Sequence, residues 1–293
     1  MRFILALYFF CILSLSAKEK YDLACAAIFQ DEARFLKEWI EFHKTIGVKH
    51  FYLYNNLSND DYFSVLAPYV IAKEVELIEW PFPSKSIEEW NPIQCRAYMD
   101  AIKRAEGKAK WVAFIDTDEF IVLKKGHNLG YLLKNYEEYG AVSINWQVFG
   151  HSNVQKLKSG DFLVEKLTLK GEPLMKGNYH VKSIVQPKHV KSCYNPHFFK
   201  LDKDYPQVTT AKIPFFGVHS PTVDISIAQI NHYWVRDIEY MENIKIARQI
   251  KWGGSGDATR KAGAELNQIE DLSAFPFLLE MKKRLSLSID KHL

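Results

Sequence analysis

Trp111-Val112-Ala113-Phe114-Ile115-Asp116-Thr117-Asp118-Glu119-Phe120 is the stretch that decides how this chain is read. Its first five residues form a short apolar run, the pattern of a strand buried on both faces. That strand runs out into two carboxylates spaced i and i+2, a spacing that puts both on one side of an extended chain. A hard cation such as Mn²⁺ or Mg²⁺ takes oxygen ligands of this kind and keeps positions open for phosphate oxygens and water. Acidic pairs are common on surfaces, so the meaning of Asp116-Thr117-Asp118 depends on what surrounds it.

Upstream, strands and helices alternate. Residues 23–29 read as a buried strand, after which Asp31 and Glu32 open a helix with acidic residues in its first turn. Phe35, Trp39, Phe42 and Ile46 give that helix its apolar face, and Gly47 ends it. A second strand at 50–54 leads into the polar turn 55–60, a short helix to Tyr69 and a third strand at 74–80. Pro92 sits where a helix-opening proline belongs, and that helix runs to about Ala105. This order implies a parallel sheet with right-handed crossovers, whose ligands bind beyond the carboxyl ends of the strands. The polar clusters 30–32, 55–60 and 116–118 all fall at such ends.

Downstream the pattern changes to short β runs at 141–149, 181–186 and 228–233, with helical sequence at 237–250 and near 277–285. No linker, repeat or low-complexity tract interrupts it. The expectation is one α/β domain over 18–293, with 18–122 binding a nucleotide and 123–293 completing the site. The 47% hydrophobic and 25% charged content suits a globular core. A net charge of +3 with scattered lysines argues against nucleic acid as a partner. Aromatic residues reach 14%, which serves carbohydrate contacts as well as core packing.

At the N-terminus Arg2 precedes an apolar run over 3–15, and Lys18 and Lys20 follow. The run is shorter than the roughly 20 residues of a membrane span. Small residues at Ser14 and Ser16 suit a signal peptidase, so 1–17 reads as a signal peptide or membrane anchor. This places the chain in the secretory pathway or at a membrane. For a eukaryotic source this points to the Golgi lumen, and for a bacterial one to an exported or membrane-tethered protein. Outside the leader only Cys25, Cys95 and Cys193 remain, without CxxC spacing, which disfavours zinc and permits at most one disulfide.

Several motifs occur in order. Phe29-Gln30-Asp31-Glu32-Ala33-Arg34-Phe35-Leu36-Lys37-Glu38-Trp39 is followed by Phe51-Tyr52-Leu53-Tyr54-Asn55-Asn56-Leu57-Ser58-Asn59-Asp60, then by Gln94 with Tyr98. Asp116-Thr117-Asp118-Glu119-Phe120, Trp146-Gln147-Val148-Phe149-Gly150, Lys182 with His197, and Asn231-His232-Tyr233-Trp234 complete the series. Over about 22–248 the chain resembles glycosyltransferase family 92 and its family-2-like relatives. The resemblance implies the GT-A form of the α/β fold: a mostly parallel sheet flanked by helices, with a mixed α+β second half. It also implies a nucleotide-sugar donor (often a UDP-hexose), a glycan or glycoconjugate hydroxyl as acceptor, and inversion at the anomeric carbon.

Carried over by residue, Asp118 binds Mn²⁺ or Mg²⁺ directly and Asp116 reaches the ribose or a metal-bound water. His232 becomes the distant third ligand, although a histidine in that place is otherwise a core residue. Phe29, Glu32, Arg34, Asn55, Asp60 and Gln94 join Asp116 around the donor; turn chemistry explains Asn55 and Asp60 equally well. Inversion needs a carboxylate to accept the acceptor's proton, and Asp161, Glu165 and Asp237 are the candidates. Two rivals stand beside this reading. A haloacid-dehalogenase-like phosphatase also carries D-x-D, but on its first strand and followed by Gly and Thr rather than Glu119 and Phe120. The other is a catalytically inactive protein that keeps the fold and binds sugar.

Overall fold

The computed structural model describes residues 19–289. The leader read at 1–17 lies outside them. Its first half follows the sequence pattern closely: β1 (Tyr21–Phe29), α1 (Ala33–Thr45), β2 (His50–Asn55), α2 (Tyr62–Ile71), β3 (Val75–Glu79), α3 (Ile87–Ala105) and β4 (Ala109–Phe114). The four strands are parallel in the order β3-β2-β1-β4. Phe29, Asn55 and Glu79 sit side by side at their carboxyl ends. β1 shows why the sheet is covered on both faces. Leu23, Cys25 and Ala27 belong to the core under α1, while Ala24, Ala26 and Ile28 belong to the core under α3.

Two helix starts differ from the expectation. α1 opens at Ala33, and Asp31 lies before it in a left-handed conformation (φ 55°). The cap comes from elsewhere in the chain, since the Ala33 N–H donates to Asp60 Oδ2 at 2.7 Å. α3 begins five residues ahead of Pro92's expected opening. Ser86 Oγ accepts the Glu89 N–H, and the Glu89 carboxylate accepts the Lys85 N–H, a variant of the capping box. Pro92 therefore stands inside the helix.

The second half extends the same sheet. It contains β5 (Glu119–Leu123), α4 (Leu129–Leu132), β6 (Ala141–Val148), α5 (Leu163–Lys166), β7 (Leu169–Lys170), β8 (Val181–Val185), β9 (Val190–Asn195), β10 (Phe198–Leu201), β11 (Gln207–Thr209) and β12 (Ala228–His232). Beyond β4 the order is β8-β6-β12-β5, with β11 beside β6. The β4–β8, β8–β6 and β12–β5 pairs are antiparallel, and only β6–β12 and β6–β11 are parallel. The helical sequence at 237–250 is broken into α6 (Ile238–Tyr240), a π-helical turn (Met241–Ile246) and α7 (Ala247–Lys251). α8 (Asp257–Glu265), β13 (Ile269–Glu270) and α9 (Phe275–Ile289) follow. Among the described residues no helix is long and apolar enough to cross a membrane.

Glu38 and Trp39, adjacent on α1, tie the halves together. The Glu38 carboxylate accepts the N–H groups of Leu163 and Val164 at 2.8 and 3.0 Å, and burial pushes its pKa up to about 7. The Trp39 indole N–H bridges the carbonyls of Asp116 and Glu119 at 3.1 and 2.9 Å. One turn later, His43 Nδ1–H donates to the Trp39 carbonyl at 2.7 Å and Nε2 accepts the Ile121 N–H at 3.2 Å. Those two bonds fix one neutral tautomer, and burial lowers the His43 pKa to about 4.

Candidate active site

Between β4 and β5 the chain makes a tight turn rather than continuing as a strand. The Glu119 N–H reaches back to the Asp116 carbonyl at 3.1 Å. The expectation that Asp116 and Asp118 share one side of an extended chain therefore fails. The turn, clamped by Trp39, sends the two carboxylates to different partners.

Asp116 is held from the first half and from the sheet. Its Oδ1 accepts from Gln94 Nε2 at 2.7 Å and from the Tyr98 hydroxyl at 3.3 Å, and its Oδ2 takes Lys182 Nζ at 2.8 Å. Lys182 lies on β8 and is buried, 1% exposed. Its ammonium also sits 3.6 Å from the fully buried Glu119. Burial opposes the charge of this lysine, yet Asp116 and Glu119 more than compensate and raise its pKa to about 12. Glu119, in turn, is pushed up to about 8 by burial and by the two neighbouring aspartates.

Asp118 faces the second half. Lys245 Nζ, from the π-helical turn, lies 2.9 Å from Oδ2, and His232 Nε2 lies 3.7 Å from Oδ1. β-Pairing sets this approach, because His232 on β12 is the register partner of Glu119 and the Tyr233 N–H donates to the Asp118 carbonyl. Burial alone would raise the Asp118 pKa, but Lys245, His232 and Arg236 outweigh it and hold the carboxyl below its usual range. Burial lowers the His232 pKa to about 4, so the imidazole is neutral. Beside them the buried Arg236 pairs with Glu32 and lies between the Phe35 and Tyr240 rings, while the Tyr240 hydroxyl also donates to Glu32.

Tyr240 and Lys245 border a cleft of about 660 Å³ at the carboxyl ends of the parallel strands. Phe29, Glu32, Asp116 and Asp118 line it. Its second-half wall carries Lys245, Arg248 and Lys251, spaced three apart along α7 and the turn before it. A pocket with that cationic wall suits a diphosphate.

A family model for glycosyltransferase family 92 matches residues 22–271. The chain belongs to glycosyltransferase family 92. A family 92 protein of Ricinus communis is 32% identical over 139 residues, 47% of this chain and 24% of that protein. One of Arabidopsis thaliana is 25% identical over 229 residues, 73% of this chain and 35% of that protein. The chain thus spans about a fifth to a third of the length of the curated relatives it matches. Among solved structures, S. aureus TarS in complex with UDP-GlcNAc aligns with 67% of this chain and 60% of that one, at 12% identity and a TM-score of 0.37. The fold is α/β, built on a large mixed sheet whose first four strands are parallel.

Other expected site residues of this family 92 chain have different work in the structure. Asn55 donates to Glu79 at 2.7 Å and accepts the Ser58 N–H, so it shapes the turn after β2. Asp60 caps α1, and Arg34 donates to the Lys158 carbonyl at 2.8 Å. Gln94 acts through Asp116. None of the three candidate bases borders the cleft. Asp161 accepts the Lys158 N–H, Glu165 pairs with Lys282 at 2.7 Å, and Asp237 accepts the N–H groups of Tyr240 and Leu157.

Sequence reasoning missed the cations of the second-half wall, Arg236, and the cleft residues Asn56, Trp90 and Trp252. The three-residue spacing of Lys245, Arg248 and Lys251 was the available signal. Among the described residues no three His, Cys, Asp or Glu side chains converge as a metal cage. Asp118 with His232 is the pair that fits a cation. A carboxylate oxygen and a neutral imidazole nitrogen face each other across a gap too wide for a hydrogen bond.

Proposed function

We propose that this chain transfers a hexose from a nucleotide sugar, a UDP-hexose first among them, to a glycan hydroxyl with inversion. Family membership supports the sugar-transfer reading. The observation that carries it is the cleft itself, where a strand-end carboxylate stands opposite three cations in space for a nucleoside diphosphate. Asp118 and His232 would hold Mn²⁺ or Mg²⁺ there, and such an ion, when bound, neutralises charge on the departing diphosphate.

The chain's own residues prepare that place. Lys182, Gln94 and Tyr98 hold Asp116 in one orientation at the cleft floor, suited to a ribose hydroxyl. Lys245, Arg248 and Lys251 offer ammonium and guanidinium groups to phosphate oxygens. Arg236 and Glu32 keep the second-half segment packed on α1. The apolar N-terminal run suits a protein of the secretory pathway or one tethered to a membrane.

The test is a panel of nucleotide sugars incubated with the chain, with Mn²⁺ or with EDTA. Release of nucleoside diphosphate and sugar transfer to oligosaccharides are measured separately. Nucleoside diphosphate release that EDTA abolishes supports the whole reading. Release indifferent to EDTA removes the metal and keeps the transferase. Binding of sugar without release from any donor moves the chain to an inactive sugar-binding protein.

A further inference from the structure

His232 belongs to two neighbourhoods. Its Nε2 faces Asp118 in the cleft, and its ring forms part of the wall of a second cavity of about 430 Å³. Trp146, Trp234, Met175 and Leu266 make the other apolar walls, and Glu172 and Glu265 stand at the border. Among the described residues no Lys or Arg lines this cavity, in contrast to the three cations of the cleft. Charge therefore sorts the two spaces. An anionic nucleotide belongs in the cleft, and the cavity suits a neutral ligand with apolar faces and hydroxyls at its rim.

Trp234 is the wall with a spare face. Its ring packs against the small cluster of Val235, Met241 and Ile246, yet it remains partly exposed. It also borders a shallow hollow shared with Trp252, and Trp252 in turn lines the cleft. Tryptophans thus mark a path from the cleft to the cavity. Trp146 is fixed by its neighbours, stacked on His180 and in contact with the His232 ring at 4.2 Å. A rigid aromatic wall with nearby carboxylates presents what a pyranose needs: a flat apolar surface for its C–H face and acceptors for its hydroxyls.

We propose that this cavity is the acceptor subsite and takes a neutral pyranose unit of a glycan. Trp234 is its stacking platform, and Glu172 and Glu265 accept hydroxyl protons in hydrogen bonds. The assignment rests on the sugar-transfer reading, but binding tests it without turnover. Tryptophan fluorescence and calorimetry are used to titrate the full chain with neutral gluco-, galacto- and manno-oligosaccharides, and with octyl glucoside as an apolar competitor.

At least one oligosaccharide is expected to bind. Trp234→Ala should weaken it about tenfold or more, Trp234→Phe should restore most of the affinity, and Glu172→Gln should weaken it about threefold. Where transfer is measurable, Trp234→Ala should raise KM for the acceptor by the same factor and move KM for the donor less than about twofold. Oligosaccharide affinity unchanged in both Trp234→Ala and Glu172→Gln overturns the subsite. So does a lack of binding by any oligosaccharide, or octyl glucoside binding alone, which assigns the cavity to a lipid-like tail. Absence of donor turnover with oligosaccharide binding intact leaves the subsite standing and sinks the transferase reading instead.

Discussion

Asp116 and Asp118 leave the same turn two residues apart, and each meets a lysine, but the lysines are held differently. Lys182 comes from the middle of the sheet, is buried, and serves Glu119 as well as Asp116. Removing it would leave the fully buried Glu119 without its cation beside Asp116, a costly arrangement. Lys245 comes from the π-helical turn at the cleft's rim, and its side chain keeps 18% of its exposure. Such turns are frequent at functional sites, where the helix gives up regular bonding to aim a side chain. One carboxylate is built into the scaffold, while the other carries a cation that another cation or a ligand can replace. The repeated letter of the motif conceals that division.

The sharpest way to break the comparison is Lys182→Met. If the Asp116 wall is scaffold, the variant should lose about 3–5 kcal/mol in urea unfolding, because Glu119 and Asp116 stay behind without their cation. A variant as stable as the parent chain would mean that both walls are equally expendable.

Acid should loosen the same wall through His43. Its folded pKa is lowered to about 4 from 6.5, so between these values the unfolded chain binds the proton and the native one does not. The contribution is fully present above about pH 6.5 and declines as pH falls toward 4; about 2 kcal/mol of it is gone at pH 5. Glu38, raised to about 7, runs the other way and loses its contribution as pH rises from 4.5. The measurement is therefore a difference: the stability gap between parent and His43→Gln should shrink by about 2 kcal/mol from pH 7.5 to pH 5. A gap independent of pH would clear His43 of this role.

On the other wall, Asp118→Asn should lower the urea midpoint clearly less than Lys182→Met does. Donor turnover should nevertheless fall about a hundredfold or more, and its response to added Mn²⁺ should vanish. An equal loss of stability in Asp118→Asn and Lys182→Met would erase the distinction between the walls.

Much of the first half was legible because one signal dominated it. Apolar runs such as 23–29 and 111–115 are bounded by polar turns, and only a strand covered on both faces needs them. Glu38 and Trp39 closed the motif over 29–39, but nothing in their spacing announced that they clamp residues 116–119 and 163–164. Helix starts were misplaced for a similar reason. Asp60 caps α1 from 27 residues away, a contact that exists only after β1 and β2 have paired. The cleft's acidic floor could be read at 116–118, since a strand end fixes it locally. Its cationic wall showed only as a three-residue spacing, because Lys245, Arg248 and Lys251 gain meaning only when β12 lies beside β5 and carries the following segment over Asp118. The candidate bases look free in sequence too, yet Glu165 and Asp237 are engaged by tertiary partners and Asp161 by the nearby Lys158 N–H.

The smallest expected effect discriminates most finely. Lys245 occupies Asp118 where a divalent cation would sit, so Lys245→Gln removes a competitor and a phosphate partner together. Mn²⁺ binding without nucleotide, followed by paramagnetic resonance of the free ion, should tighten about threefold, the scale of a partly exposed ion pair. Nucleotide-sugar affinity should weaken by a similar factor, because the diphosphate loses a charge-assisted donor. Lys245→Arg should recover the second effect, since the guanidinium also pairs with phosphate. Opposite shifts for metal and nucleotide identify an exchangeable cation. If both affinities move together, or neither moves while the urea midpoint falls, Lys245 is as structural as Lys182 and the two walls are of one kind.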